Sequence, residues 1–213
     1  IGPNGAGKTT LLDCISGIEL PDKGNILYFR DDMSRWRIHE RADAGIARTF
    51  RSLHVFKNLT VYENVALAVN GRDQYLLPSF FGFTRLTDEQ QQQVAAVLDR
   101  VKLTEKRDTR VAELSFGQQK MVSLARALLQ PHKILLLDEP VTGMQPAIRR
   151  DLLALFKALK ENGETLLIVE RDTNFALDVA DHIIVMNEGR VVCEGTPEDI
   201  RMDVKVMDAY AEK

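Results

Sequence analysis

The residues with the clearest chemical potential stand at the start of the chain, in a glycine-rich segment that ends in a lysine and a threonine. Residues 2–9 read GPNGAGKT and match the spacing G-x-x-x-x-G-K-[ST] at every position. Glycines let consecutive backbone N–H groups turn toward a phosphate, and the helix predicted from Thr10 onward adds the partial positive charge of its N-terminus. Lys8 can reach the outer phosphates, and the Thr9 hydroxyl can bind Mg²⁺. This segment predicts nucleoside triphosphate binding.

A second pair of chemically capable residues closes an apolar run later in the chain. The run Ile134–Leu137 has the length of a strand and is followed directly by Asp138 and Glu139. In α/β sheets, ligands bind at the carboxyl ends of strands. Asp138 is placed to hold Mg²⁺, directly or through water, and Glu139 can polarise a water for attack on the γ-phosphate. Together with the phosphate-binding segment, the pair predicts hydrolysis of the nucleoside triphosphate. It is therefore more than two acidic residues on the surface.

A third segment, LSFGQQK at residues 114–120, begins a helix with Ser115 and Gly117. A serine N-cap is common and is usually only structural. At this distance before the Asp-Glu strand, the same helix N-terminus can also hold a phosphate from the opposite side. One chain cannot close both segments on one nucleotide if they lie apart on one surface, whereas two chains arranged head to tail can.

A regular alternation in the second half of the chain indicates the elements that position these residues. Continuous apolar strands between helices are typical of a parallel sheet that is buried on both faces. A strand at 25–30 and a hairpin turn at 187–190 add a short antiparallel part. The main predicted elements are helix 117–129, strand 133–137, helix 146–162, strand 165–169, helix 173–180 and strand 182–186.

The middle of the chain has a different pattern. Residues 60–112 are mostly helical by pattern, with capping boxes that begin at Thr60 and Thr87, and are predicted to form a lobe on the sheet. The predicted fold class is α/β: a P-loop NTPase core with a mostly parallel central sheet flanked by helices, a helical lobe and a short antiparallel β part. We predict a single nucleotide-binding domain over residues 1–213.

Bulk composition narrows the classes of function. The 213 residues are 45% hydrophobic and 28% charged, which is ordinary for a globular domain. A net charge of −3 gives no support for a basic surface that binds nucleic acid. The longest apolar runs have the length of strands, and none approaches a membrane span. Because a phosphate-binding loop normally follows a strand, of which Ile1 alone is present, we expect the chain to be truncated at its N-terminus.

The order of the motifs GPNGAGKTT, LSFGQQ and ILLLDEP resembles that in the ATP-binding subunit of an ABC transporter, and the resemblance covers the whole chain. The stretch ARTF at 47–50, followed by VFKNLTVYEN at 55–64, is similar to one branch of that family. This branch is the branched-chain amino-acid uptake group, with the related urea and short-amide systems. Phe116, the insertion after Asn70 and the ending EGTPE at 194–198 are similar to that branch too.

The resemblance implies ATP and Mg²⁺ as cofactors and the hydrolysis of ATP to ADP and phosphate. It also implies a dimer that sandwiches ATP, in which the LSFGQQ motif of each chain meets the nucleotide held by the other. The residues implied to contact nucleotide are Gly2, Pro3, Asn4, Gly5, Ala6, Gly7, Lys8, Thr9, Thr10, Ser115, Gly117 and Gln118. Glu139 is implied to be catalytic, and Thr9 and Asp138 are implied to hold the metal.

The implied partners are a second ATP-binding subunit, the same or different, and transmembrane permease subunits. The helical lobe, with the loop after Phe50, would contact the coupling helix of the permease. The subunit would be peripheral on the cytoplasmic face of the inner (plasma) membrane, with no nucleic-acid partner. There it would couple ATP binding and hydrolysis to transport of branched-chain amino acids or a related small polar solute such as urea.

Three positions depart from the family pattern. Arg51 stands where the family has a glutamine, Arg171 where it has a histidine, and Gln145 where an interface aspartate is usual. Arginine is always charged and can pair with a γ-phosphate through two hydrogen bonds, but it cannot accept a proton. We therefore predict that Arg51 and Arg171 bind phosphate and favour a long-lived ATP-bound state.

These departures leave three interpretations open. In the first, the changes are tolerated and the chain hydrolyses ATP, at an ordinary or a slow rate. In the second, it is a degenerate, slowly hydrolysing ATP clamp that regulates a partner ATPase or completes its site. In the third, the changes come from sequence error or a decaying gene copy. A further class, a soluble ABC ATPase that acts on DNA or ribosomes, is disfavoured by the acidic charge balance and by the absence of a long coiled-coil pattern.

Overall fold

The computed structural model describes residues 1–49, 54–69 and 86–203. The chain divides into two compact units. The first comprises Ile1–Arg51, His132–Thr142 and Phe156–Lys213, and the second comprises Ser52–Pro131 and Gly143–Leu155. Arg51 and the predicted insertion after Asn70 lie outside the described residues.

The elements follow the predicted alternation of strands and helices. Those of the first unit are α1 (Lys8–Ser16), β1 (Leu27–Tyr28), β2 (Asp31–Asp32), α2 (Ile38–Asp43), β3 (Ile46–Arg48), β4 (Ile134–Asp138), β5 (Thr165–Val169), α7 (Thr173–Val179), β6 (Ile183–Asn187), β7 (Arg190–Gly195) and α8 (Pro197–Met202). Those of the second unit are α3 (Val61–Val69), α4 (Asp88–Arg100) and α5 (Phe116–Leu129). Helix α6 (Pro146–Glu161) contributes residues to both units.

A parallel sheet organises the first unit, which confirms the predicted fold class. The strand order is β3-β4-β5, and β4 pairs in parallel with both neighbours. Leu136 lies opposite Arg48 on one side and Leu167 on the other, and its side chain is fully buried. It packs with Leu12 of α1 and with Ile46. The continuous apolar character of β4 therefore reflects burial on both faces of the sheet.

The glycine-rich segment is attached to the antiparallel pair β6–β7. The amino group of Ile1 donates to the carbonyl of Ile184 at 2.7 Å, and the N–H of Met186 donates to the carbonyl of Ile1 at 2.9 Å. A Cβ atom on Gly2 would lie 2.1 Å from the carbonyl oxygen of Met186. Only glycine therefore allows the chain to turn from this pairing into the phosphate-binding segment.

The predicted strand at 25–30 is confirmed at residues 27 and 28 and is wrong at the others. Leu27 and Tyr28 form β1, but the chain then reverses and β2 pairs with β1 in an antiparallel hairpin. The turn passes through Phe29, which has a φ of 55°. An aromatic residue in this left-handed region is uncommon, and the apolar run gave no indication of the turn.

Helices make up the second unit, in which α3 packs against α4 and α5. The predicted capping boxes are confirmed: the N–H of Glu63 donates to the Thr60 hydroxyl at 3.1 Å, and that of Gln90 donates to the Thr87 hydroxyl at 3.2 Å. Asn64 is fully buried, and its side chain binds both the N–H and the carbonyl of Phe56. Across the described ranges, no helix combines the length and apolar character needed to cross a bilayer.

Candidate functional site

The phosphate-binding segment forms a tight loop that runs into α1. The helix begins at Lys8, and Gly7 is its N-cap residue with a φ of 89°. Within the described part of the chain, no side chain caps this helix. The first-turn N–H groups and the positive end of the helix dipole are therefore directed into the loop, as an anion site requires.

Lys8 lies at the centre of this loop. Its side chain is buried, and the Nζ atom donates to the carbonyls of Gly2 and Pro3, both at 2.8 Å. The loop also closes on itself through the N–H of Ala6, which donates to the carbonyl of Pro3 at 3.3 Å. The ammonium is thus held by neutral carbonyl groups, and its positive charge stays inside the loop.

Acidic side chains lie at the carboxyl ends of the two strands against which α1 packs, β4 and β5. Asp138 and Glu139 are each 3% exposed, and Glu170, immediately after β5, is 1% exposed. Parallel strands end at one edge of the sheet, so these carboxylates belong to the same edge of the first unit. Burial of several acids in one place is costly and is a mark of functional sites.

Glu139 has an unusual backbone conformation, with a φ of 45°. Its N–H donates to the carbonyl of Val169 at 2.8 Å, which ties it to the end of β5. The Thr142 hydroxyl donates to its Oε2 atom at 3.2 Å. Such a conformation persists only where surrounding contacts support it, and it turns the Glu139 side chain out of the line of β4.

Arg48 is a member of this site that the sequence analysis missed. Its Nη1 atom lies 2.7 Å from Oδ1 of Asp13 and donates to the Ser16 hydroxyl at 2.6 Å. Its Nη2 atom lies 3.6 Å from Oδ2 of Asp138, and the side chain is only 7% exposed. One guanidinium therefore connects the helix that follows the phosphate-binding loop with the acid that ends β4.

Glu170 was also missed, although it directly follows the predicted strand at 165–169, where a charged residue is a candidate for a site. The sequence did not mark Arg48 in this way, because only the structure ends β3 at that residue. Burial raises the pKa of Glu170, and the negative charge of Glu139 raises it further, while hydrogen bonds from backbone N–H groups oppose both effects. The residue is the deepest of the acids at this edge.

Arg51 and Arg171 are the two arginines predicted to bind phosphate, and the structure describes Arg171. It is exposed, and its backbone N–H donates to Oε2 of Glu170 at 3.0 Å. The next residue, Asp172, caps α7 by accepting the N–H of Phe175 at 2.9 Å. The Arg171 side chain therefore projects from a loop whose backbone is fixed at both ends.

The LSFGQQ motif belongs to the second unit. Ser115 is the N-cap of α5: its hydroxyl accepts the N–H of Gln118 at 3.3 Å, and Gln118 Oε1 accepts the N–H of Ser115 at 3.0 Å. A Cβ atom on Gly117 would lie 2.8 Å from Cδ1 of Ile148. The structural role that the sequence allowed for Ser115 is thus present, and a larger residue at position 117 would require the Ile148 side chain to shift. Gln145 is exposed in the same unit.

The site combines a glycine-rich loop that opens a helix with a lysine folded into that loop and with acids at the carboxyl edge of a parallel sheet. This combination defines a P-loop nucleoside triphosphatase. The family model described as ABC transporter matches residues 1–142, and the chain belongs to this family. It is therefore an ATP-binding protein and an ATPase of the ABC type, as the resemblance implied.

Curated relatives align with nearly the whole chain. It is 35% identical to the high-affinity branched-chain amino acid transport ATP-binding protein BraF of Pseudomonas aeruginosa over 99% of this chain and 84% of the relative. It is 33% identical to the corresponding protein LivG of Escherichia coli, with the same coverage of both chains. These comparisons give no support to the alternative of a degenerate regulatory clamp.

Solved structures agree with this assignment. The ADP conformation of MJ1267, an ATP-binding cassette of an ABC transporter, has a TM-score of 0.85 and 32% identity, and the alignment covers 100% of this chain and 86% of that one. The dimeric post-hydrolysis state of the cassette MJ0796, bound to ADP and Pi, has a TM-score of 0.78 and 25% identity over 92% of this chain and 83% of that one.

Proposed function

We propose that this chain is an ATP-binding subunit of an importer for branched-chain amino acids. The observation that carries this proposal is the similarity to BraF and LivG across 99% of the chain. Its partners are transmembrane permease subunits and a second ATP-binding subunit. It works as a peripheral protein on the cytoplasmic face of the membrane, where closure of two ATP-binding subunits on ATP changes the access of the permease.

In this proposal the phosphate-binding loop holds the nucleotide. Backbone N–H groups from Asn4 to Thr10 surround the phosphates, and Lys8 exchanges its contacts with loop carbonyls for the β- and γ-phosphates. In this exchange the Lys8 ammonium changes its hydrogen-bond partners within a loop that is already folded. Nucleotide binding therefore requires little reorganisation of the backbone.

The donor set fits Mg²⁺. Thr9 offers a hydroxyl and Asp138 a carboxylate, and oxygen ligands are those that Mg²⁺ prefers. In the described residues there is no group of three or more His, Cys, Asp or Glu side chains that could hold a metal by itself. An ion held by Thr9 and Asp138 would neutralise charge on the phosphates.

Glu139 is the residue proposed to act on the attacking water. Its Oε2 atom accepts the Thr142 hydroxyl, and a carboxylate can take a proton from water. Ser115, Gly117 and Gln118 serve a different nucleotide: they complete the site of the partner ATPase, with the N-terminus of α5 directed at the γ-phosphate.

The transported solute is tested by reconstitution. The chain, its co-encoded partner ATPase and permease are placed in proteoliposomes, and ATP-dependent movement of labelled leucine and labelled urea is measured. We expect leucine transport that is lost in a Lys8→Ala variant, because the charge at the centre of the loop is removed. ATP-dependent movement of urea without leucine would assign the chain to the neighbouring branch instead.

The arginine substitutions lead to a separate prediction about rate. Arg51 and Arg171 clamp the γ-phosphate without accepting a proton, so we expect slow phosphate release from the assembled wild-type transporter. The double variant Arg51→Gln, Arg171→His is expected to turn over about tenfold faster, which is about 1.4 kcal/mol of barrier. Steady-state phosphate release measures this. A double variant that is no faster than wild type would contradict the clamp.

A further inference from the structure

The carboxylate of Glu170 joins two loops at the carboxyl edge of the sheet in the first unit. Its Oε1 atom accepts the N–H of Val141 at 2.8 Å, on the loop after β4. Its Oε2 atom accepts the N–H of Arg171 at 3.0 Å and that of Asp172 at 3.5 Å, on the loop after β5. One buried side chain thus connects these two loops beyond the last pairing of β4 with β5.

The loop after β4 is the one that orients Glu139. Glu139 begins it, Thr142 ends it with a hydroxyl on the Glu139 carboxylate, and Val141 lies between them. The Glu139 backbone is in the left-handed region, where it depends on supporting contacts. The bond from Val141 to Glu170 supports the middle of this segment, so its loss would release the Thr142 hydroxyl and the Glu139 carboxylate together.

A charged side chain at this position is costly for the fold. Glu170 is 1% exposed and lies close enough to Glu139 for the two charges to repel each other. A carboxylate has acceptors at both oxygens, whereas an amide of the same size has one oxygen and a donor. Only the carboxylate can therefore accept N–H groups from both loops at once.

We propose that Glu170 is a positioning residue for ATP hydrolysis, which holds the Glu139 carboxylate and the Arg171 loop in the geometry that the reaction requires. This inference rests on the proposed role of Glu139 as the residue that acts on the attacking water. Glu170 touches neither water nor nucleotide in this account and acts through the loops that it joins.

The test uses Glu170→Gln and Glu170→Met in the assembled transporter. Glutamine keeps the size and one acceptor, and methionine keeps the size with no oxygen acceptor. We expect kcat to fall about tenfold for glutamine and about 10²-fold for methionine, because small misplacements of a reacting group have effects of this size. The Kd for a fluorescent ATP analogue stays within about twofold of wild type, since the phosphate-binding loop is untouched.

A matched control is available at the other end of the same strand. Glu164 directly precedes β5, and its Oε2 atom lies 3.2 Å from Nε2 of His132, at the end of the strand opposite to the loop that holds Glu170. Glu164→Gln also removes a carboxylate beside β5, and its kcat is expected to equal that of wild type.

The decisive measurement is a double-mutant comparison in single-turnover experiments. If Glu170 acts through Glu139, Glu170→Gln lowers γ-phosphate cleavage in the wild type but not in the Glu139→Gln background. Three outcomes would each overturn the inference. Glu170→Gln could lower γ-phosphate cleavage equally in both backgrounds, or the folded Glu170→Gln protein could have the kcat of wild type. The third outcome is a parallel loss of kcat, nucleotide affinity and thermal stability. Wild-type hydrolysis by Glu139→Gln itself would instead refute the proposed role of Glu139.

Discussion

Replacement of Glu139 by glutamine is expected to lower the rate of ATP hydrolysis by about 10²–10⁴-fold, the contribution typical of a general base. Glutamine keeps the size of the side chain and an oxygen for the Thr142 hydroxyl, which now donates to Oε2 at 3.2 Å. It cannot take a proton from water at neutral pH. Nucleotide affinity should change little, because the lysine and the backbone N–H groups of the loop are unaffected.

The measurement is phosphate release with saturating Mg-ATP, accompanied by titration of a fluorescent ATP analogue. Glu161→Gln, an exposed glutamate in the last turn of α6, is the matched control and should hydrolyse ATP at the wild-type rate. A Glu139→Gln protein that binds nucleotide normally and retains more than about a tenth of wild-type turnover would assign the proton acceptor to another group.

Replacement of Arg48 by methionine is expected to lower the free energy of unfolding by about 3–5 kcal/mol, the cost of breaking a buried ion pair by removing one partner. The Asp138 side chain is 1% exposed and would lose the guanidinium beside it. The link from Asp13 and Ser16 to the end of β4 would also be lost. The loss should appear as a lower midpoint in urea denaturation with an unchanged slope.

An exposed pair gives the control for this experiment. Nη2 of Arg201 lies 3.9 Å from Oδ1 of Asp178, with both side chains more than half exposed. Arg201→Met should therefore cost about 0–1 kcal/mol. If Arg48→Met lowers the free energy of unfolding by as little as Arg201→Met, water reaches the Asp138 carboxylate. The contacts of Arg48 with α1 and β4 would then add little to stability.

Many secondary-structure elements could be predicted from the sequence because their signals are local. The capping pairs Thr60–Glu63 and Thr87–Gln90 lie within one helical turn, and the structure shows both. The prediction of one strand at 25–30 was wrong at Phe29, because an apolar run does not reveal that this residue adopts a φ of 55° and reverses the chain. The prediction for Arg51 concerns a position outside the described residues and stays a prediction.

The phosphate-binding loop, the Asp-Glu pair at the end of β4 and the family could be predicted without coordinates, because each depends on neighbouring residues with fixed spacing. The connection from Asp13 through Arg48 to Asp138, and the bonds of Glu170 to the loops after β4 and β5, became visible only in the folded chain. Val141 and Glu170 are 29 positions apart and meet because parallel strands end at one edge of the sheet. Contacts of this kind depend on strand order and register, which a single sequence does not contain.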